Sequence, residues 1–380
     1  MATSPQYGWA EPDNSSLVKN GAADIRTLGD AIDTSVWNVG YGQAGKNKII
    51  NGDFGINQRG FTSTTTNNTY GFDRWRFLYN TGTITYSAQT FTAGAAPVAG
   101  YEGINFARLV TSGQSASDAY AFLLQPIEDV RTFANQTVTV SFWAKANTGT
   151  PKIAVELEQN FGSGGGASAS VQTYAGQTTL STSWARYSAT ATIPSLTGKT
   201  ITTASYLSLN LWTSGGTAFN SRTGSLGIQS NTFDFWGVQV EYGSKATPFQ
   251  TASGGSPQAE FAMCQRYYAK SYENSVTVPT NSAAGGLNFA SAGATVASTA
   301  YLTNVRLPVT MRTAPTVTIY SFTSSQTGRV SDGSGTDLAA GSGGTNLIAN
   351  QIFTVQNTSG GSITSAQGGF VFHYAASAEL

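Results

Sequence analysis

Apolar and polar positions alternate with period two through much of this chain. Val138, Val140 and Phe142 alternate with Thr139, Ser141 and Trp143, and Leu207, Leu209 and Leu211 alternate with Tyr206, Ser208, Asn210 and Trp212. That spacing puts successive side chains on opposite faces of an extended strand. On this basis strands are expected at 48–54, 75–79, 83–91, 104–110, 120–126, 138–144, 153–159, 184–193, 206–212 and 233–241. Ten short strands joined by glycine-bearing turns point to a two-sheet sandwich of jelly-roll type over residues 46–250. The run Gly162-Ser163-Gly164-Gly165-Gly166 is too rich in glycine to pair and reads as a loop.

The pattern changes at 251–272. Thr251-Ala252-Ser253-Gly254-Gly255 has linker composition, and Ser256-Pro257 then supplies a helix N-cap and a first-turn proline. Phe261, Cys264 and Tyr268 follow on one helical face, so a short helix is expected to end near Tyr272. Period-two segments resume in 273–380, at 275–278, 287–289, 301–307, 316–322, 352–356 and 369–374, around a Gly/Ser/Ala loop at 332–344. These describe a smaller C-terminal β-sandwich tip.

Residues 1–45 behave differently. Val18, Ile25 and Ile32 recur every seven residues, with Gly21 and Leu28 between them, predicting a helix from Ser16 to Val36. Two heptads are too few for stability alone. Val18, Ile25, Leu28 and Ile32 therefore read either as an oligomerisation stripe or as the buried face of a helix lying on its own domain.

Composition narrows the function classes. Of 380 residues only 11 % are charged, 40 % are hydrophobic, 12 % are aromatic and 43 are glycine. Strands dressed in hydroxyls and amides fit that mixture, and an all-β fold follows. Lys plus Arg and Asp plus Glu balance at 20 each. Without a basic stripe, nucleic-acid binding is not expected. The opening MATSPQYGWAEPD has neither the basic nor the apolar region of a secretory signal, and no apolar run reaches membrane-spanning length.

Catalytic options are few. The single cysteine, Cys264, and single histidine, His373, cannot build a zinc centre within one chain. His373 sits in the apolar run Phe370-Val371-Phe372-His373-Tyr374 and reads as a hydrogen-bonded strand residue. Two carboxylates across a cleft could hydrolyse a glycoside. Among Glu156, Glu158, Asp234 and Glu241, the first two share a strand face. The other reading of that pair is a solvated outer face. No phosphate-binding glycine loop occurs. No enzyme activity, cofactor or metal is expected.

Aromatic residues are the better lead toward a ligand. Trp75, Trp143, Trp184, Trp212 and Trp236 have the faces to stack on sugars, although strand tryptophans are more often core. Tyr70, Tyr79, Tyr86 and Tyr101 lie nearer strand ends and are the candidate glycan contacts.

Several stretches carry a family resemblance. Tyr7-Gly8-Trp9-Ala10-Glu11-Pro12-Asp13, continuing through Leu17 to Gly29, resembles the N-terminal segment of tailed-bacteriophage tail-fibre and minor tail proteins. Ile49-Ile50-Asn51-Gly52-Asp53-Phe54, Gln58-Arg59-Gly60 and Phe72-Asp73-Arg74-Trp75 resemble the opening of the jelly-roll domain in such proteins. Trp236-Gly237-Val238-Gln239-Val240-Glu241-Tyr242-Gly243 with Ala246-Thr247-Pro248-Phe249 resembles its close, and Glu260 with Cys264-Gln265-Arg266-Tyr267-Tyr268 the helix that follows. Phe370-Val371-Phe372-His373-Tyr374 and Ala378-Glu379-Leu380 are similar to fibre ends.

The resemblance implies a homotrimeric virion fibre, made in the host cytoplasm, attached to other virion proteins through residues 1–45 and touching cell-surface glycan. A capsid-mounted decoration and a polysaccharide depolymerase are the alternatives. The central domain is also similar to jelly-roll carbohydrate-binding modules, some of which hold a structural calcium. Asp53 matches that pattern, but Trp236-Gly237 stands where paired acids are found in the closing strand.

Overall fold

The computed structural model describes residues 2–5, 8–12, 17–41, 45–98, 101–289, 295–365 and 369–380. Of the residues quoted above, Tyr7, Asp13 and Ser16 lie outside this set. The fold is all-β with a few short helices and one longer one. A small hairpin, β1 (Ala2–Thr3) and β2 (Ala10–Glu11), precedes α1 (Gly21–Tyr41), which a 3-10 turn at Val18–Asn20 leads into. The helix thus begins and ends about a turn later than its heptads predict. Trp9 Nε1 donates to Ser35 Oγ at 2.9 Å, tying hairpin to helix. Val18 is 98 % exposed and Ile25 66 %, with Ile32 also exposed and Leu28 half-buried.

The sandwich contains β3 (Ser63–Thr64), β4 (Arg76–Asn80), β5 (Thr83–Thr90), β6 (Asn105–Ser112), β7 (Tyr120–Glu128) and β8 (Thr137–Ala146). It continues through β9 (Lys152–Asn160), β10 (Val171–Thr179), β11 (Ala185–Thr192), β12 (Tyr206–Gly215) and β13 (Asn231–Tyr242). One sheet has the order β10-β9-β12-β7-β4, the other β11-β8-β13-β6-β5-β3, with every pairing antiparallel. Non-sequential neighbours in both sheets make this a jelly roll rather than a meander. Leu207, Leu209 and Leu211 of β12 face Val138, Val140 and Phe142 of β8 in one continuous core, with Trp75, Phe77, Phe233 and Phe235.

Three expectations are corrected. Residues 48–54 form no strand: Asn51 and Phe54 adopt positive φ (57° and 56°). Between backbone bonds to β13 at Lys48 and Gly52, side chains take over, Gln125 accepting from Ile50 N–H and Glu260 from Asn51 N–H. The helix α3 (Pro257–Gln265) is capped by Ser256 but stops before Tyr272, because Tyr268–Lys270 pairs as a strand with Phe370–Ser377. Residues 275–278 form turns rather than a strand.

In the C-terminal region, Phe370–Ser377 also pairs with Leu287–Phe289, Thr316–Ser321 and Ser331–Asp332. Tyr301–Arg306, Ile352–Gln356 and Gly344–Asn346 form a second sheet across a core built on Ile319, Phe353, Val355 and Phe372. Among the described residues no helix is long and apolar enough to cross a membrane.

Candidate functional site

Alternation in β12 has a second consequence. While its leucines enter the core, Tyr206, Ser208, Asn210 and Trp212 point to the opposite face of the five-stranded sheet. Strand β7 does the same with Tyr120, Phe122 and Leu124, and β4 with Arg76 and Leu78. The outer face of this sheet is therefore apolar in its middle, and it forms a separate cluster of Phe122, Leu124, Ala154, Trp212 and Leu226. An outer face this apolar marks a binding surface or needs a cover. Here it has both.

The cover is the 3-10 turn Thr217–Phe219 and the single helical turn α2 (Asn220–Thr223). Phe219 packs against Tyr120 and Trp212, each with ring centroids 5.4 Å apart. Gln177 of β10 holds the segment down by donating to Thr223 O (2.7 Å) and Gly224 O (2.8 Å). Gly224 is required here. Its φ is +62°, and a Cβ would lie 2.4 Å from the Tyr174 ring.

Beneath the cover lies a charged knot. Arg222 donates to both oxygens of Glu156 (2.6 and 2.9 Å) and to Glu158 Oε2 (3.1 Å). Asn210 Nδ2 and Trp212 Nε1 also donate to Glu156 Oε2, each at 2.9 Å, and Gln172 reaches Glu158. Glu156 is fully buried and Trp212 has no exposed surface. Burial disfavours the Arg222 cation, but the two carboxylates outweigh it and hold its pKa above the ordinary value. Glu156 and Glu158 do share a face, as their spacing predicts. Their oxygens are occupied by the chain's own donors.

Beside the cover an open groove of about 270 Å³ remains, lined by Arg76, Leu78, Phe122, Leu124, Tyr206 and Ser208 with the knot at one end. Burial raises the Tyr206 phenol pKa, and nearby Arg76 opposes the shift. An apolar floor with a few polar rim groups suits the faces and hydroxyls of a saccharide.

None of the four predicted tyrosines lines this groove. Tyr86 is wholly buried in the core beside Phe77 and Phe61. Tyr79 stacks on Phe77 and donates to Thr65 O. Tyr101 donates to Asp53 (2.7 Å) and packs on Trp236. Tyr70 donates to Leu380 O (2.6 Å), with Arg76 over its ring at 5.4 Å. Strand-end position did not separate exposed rings from core rings.

Of the tryptophans, Trp75 and Trp236 are in the core, and Trp143 and Trp184 are half-buried against it. Trp212 is buried outside it, on the outer face. The groove residues escaped sequence reasoning, although one signal was present. Tyr120-Ala121-Phe122-Leu123-Leu124 and 206–212 are strands with large side chains on both faces, and both faces must then be covered.

A larger hollow, about 410 Å³, adjoins Asp53, Tyr101, Glu102 and Glu260 where α3 begins. Its acids serve the chain itself: Glu260 accepts from Asn51 N (2.6 Å) and Ser253 N (2.8 Å), Asp53 from Tyr101, and Glu102 from Gly94 N. Among the described residues no three His, Cys, Asp or Glu side chains gather as metal ligands. His373 is buried, with Nδ1 2.9 Å from Ser271 Oγ, Nε2 2.8 Å from Ser282 O, and Tyr272 stacked on its ring at 3.8 Å. Burial lowers its pKa.

Comparison with known proteins bears on the same strands. No curated protein matches this chain. Among solved structures, the CBM22-2 xylan-binding domain from Paenibacillus barcinonensis Xyn10C is similar at 20 % identity, over 45 % of this chain and 92 % of that one, with a TM-score of 0.30. The family 11 carbohydrate-binding module from Clostridium thermocellum, in complex with a β-1,3-1,4-mixed-linked tetrasaccharide, is 12 % identical over 49 % and 99 %, at 0.29. A cyclase from Fischerella sp. TAU is 15 % identical over 52 % and 96 %, at 0.32. Residues 107–215 match the family described as carbohydrate binding domain, a span that takes in β7, β9 and β12 of the groove floor. Within the jelly roll, residues 107–215 are thus similar to known carbohydrate binding domains.

Proposed function

We propose that this chain is a structural fibre protein of a tailed-phage virion that holds cell-surface glycan in the groove across β4, β7, β12 and β9. One observation carries the glycan part. The carbohydrate-binding match at 107–215 takes in β7, β9 and β12, three of the four strands whose outward side chains build the groove. The fibre part is supported by the resemblance of the N-terminal segment and by α1 with the turn before it, where Val18, Ile25 and Ile32 stand exposed for a second and third copy to cover. Residues 1–45 would attach to the virion and the C-terminal sheets would face outward.

The reading is of a binder, not a catalyst. Its support is the state of the acids: Glu156 and Glu158 are engaged by Arg222, Asn210, Trp212 and Gln172, which leaves no free acid–base pair in the groove. A glycan array probed with wild-type protein and with Tyr206→Ala tests the proposal. Saccharide binding that the substitution reduces by about tenfold or more is expected. Binding untouched by groove substitutions, or turnover of the polysaccharide, would contradict it.

A further inference from the structure

Among the described residues, the groove wall contains one cation with no carboxylate partner. Arg76 lies on β4, the edge strand, with its guanidinium in the groove wall. Nη1 donates to Asn68 Oδ1 at 3.0 Å, and Tyr70 lies beneath the guanidinium carbon. Nε is buried with no hydrogen-bond partner. Among the described residues no carboxylate lies within ion-pair distance of Arg76, whereas the acids of the groove, Glu156 and Glu158, are both taken by Arg222. Register places Arg76 opposite Leu124, Leu124 opposite Asn210 and Asn210 opposite Glu156. Three inter-strand spacings, about 14 Å, thus separate the free cation from the acid knot. Room remains between them for sugar rings on Leu78, Phe122 and Leu124.

A partly buried guanidinium without an anionic partner is costly, and a planar carboxylate is the group that satisfies it best, through two parallel charge-assisted bonds. Resting on the glycan reading above, we infer that the groove selects acidic saccharides, with the carboxylate of a uronic or sialic residue seated on Arg76 and the neutral part of the chain on the apolar floor. Neutral rings supply the contact area; Arg76 supplies the choice.

Calorimetric titration tests this with matched pairs: an oligogalacturonate against its carboxyl-reduced form, and sialyllactose against lactose, beside neutral xylan and β-glucan oligosaccharides. At low ionic strength, the acidic member of at least one pair should bind about tenfold tighter or more, since a charge-assisted hydrogen bond is worth that much. Added salt should erode the difference. Arg76→Gln should abolish the preference, bringing the acidic member of each pair to the affinity of its neutral partner.

Asn68→Asp is the second variant. It sets a carboxylate beside Nη1 from an exposed loop position, where folding is not at stake, and should cancel the preference in the same way. Equal binding within both pairs, or a preference that survives both substitutions, overturns the inference while neutral binding keeps the glycan reading intact. If no saccharide binds, acidic or neutral, the glycan reading falls and this inference with it.

Discussion

Glu156 shows how one side chain organises the candidate site. A fully buried carboxylate survives only with its oxygens satisfied, and here Arg222, Asn210 and Trp212 supply the donors. Replacing it by glutamine leaves Arg222 without its main partner. Because the Arg222 side chain keeps 26 % exposure, the cost should fall near the low end for broken buried pairs, about 2–3 kcal/mol. Urea unfolding of Glu156→Gln measures it. Trp212 fluorescence should also shift to the red as the cover loosens. A variant as stable as wild type would mean that the knot does not hold the cover.

The pairing of Glu156 with Glu158 was legible from their spacing on β9, and so was the strand character of 206–212. Arg222 was not. It comes from a short turn after β12, and no periodicity marks a four-residue helix. The face on which Trp212 lies was hidden too, because Leu and Trp alternate there and both read as core.

At the scale of elements, the cover over β9, β12 and β10 depends on a tight exit. Gly224→Ala should destabilise the protein by about 1–3 kcal/mol, from the left-handed backbone and the collision with Tyr174. Thermal melting reads this out, and an unchanged melting temperature would show that the turn relaxes freely.

Strand β10 (171–179) escaped the sequence because it carries Gln, Thr and Gly with little apolar alternation; it is defined by its pairing with β9. The segment 48–54 erred the other way. Its Ile-Ile-Asn and Asp-Phe look strand-like, yet side chains of distant Gln125 and Glu260, and of Asn47 just before it, hold three of its backbone N–H groups.

For the whole molecule, the sandwich and the C-terminal sheets are joined by polar clamps. Glu379 pairs with Arg74 and with Arg59 (3.0 Å), both of which lie over tyrosines of the 267–268 pair. Removing the Arg74 partner would leave Glu379 in a buried site with Arg59 alone. Arg74→Ala should therefore cost about 3–5 kcal/mol and split one unfolding transition into two. Calorimetry shows whether it does.

The second clamp adds a pH dependence. Burial disfavours the Glu128 carboxylate, but hydrogen bonds from Arg266 and Tyr267 outweigh it and hold its pKa below the ordinary 4.5. A depressed carboxylate contributes stability that is complete above the unfolded value and is lost as pH falls through the lower folded one. Melting temperature should drop below about pH 4.5, and Glu128→Gln should flatten that part of the profile; a variant with the wild-type acid limb would assign the loss elsewhere.

The all-β fold class was legible because strands and turns write local signals. The groove, the clamps and the spare cation were not, since each joins residues far apart in the chain.

The account stands or falls on where a saccharide sits. A crystal structure of the chain with a bound oligosaccharide should show sugar density on the outer face of the β4-β7-β12-β9 strands, against Leu78, Phe122 and Tyr206. Density on the opposite sheet, over Trp143 and Trp184, or anywhere clear of the groove, would contradict it.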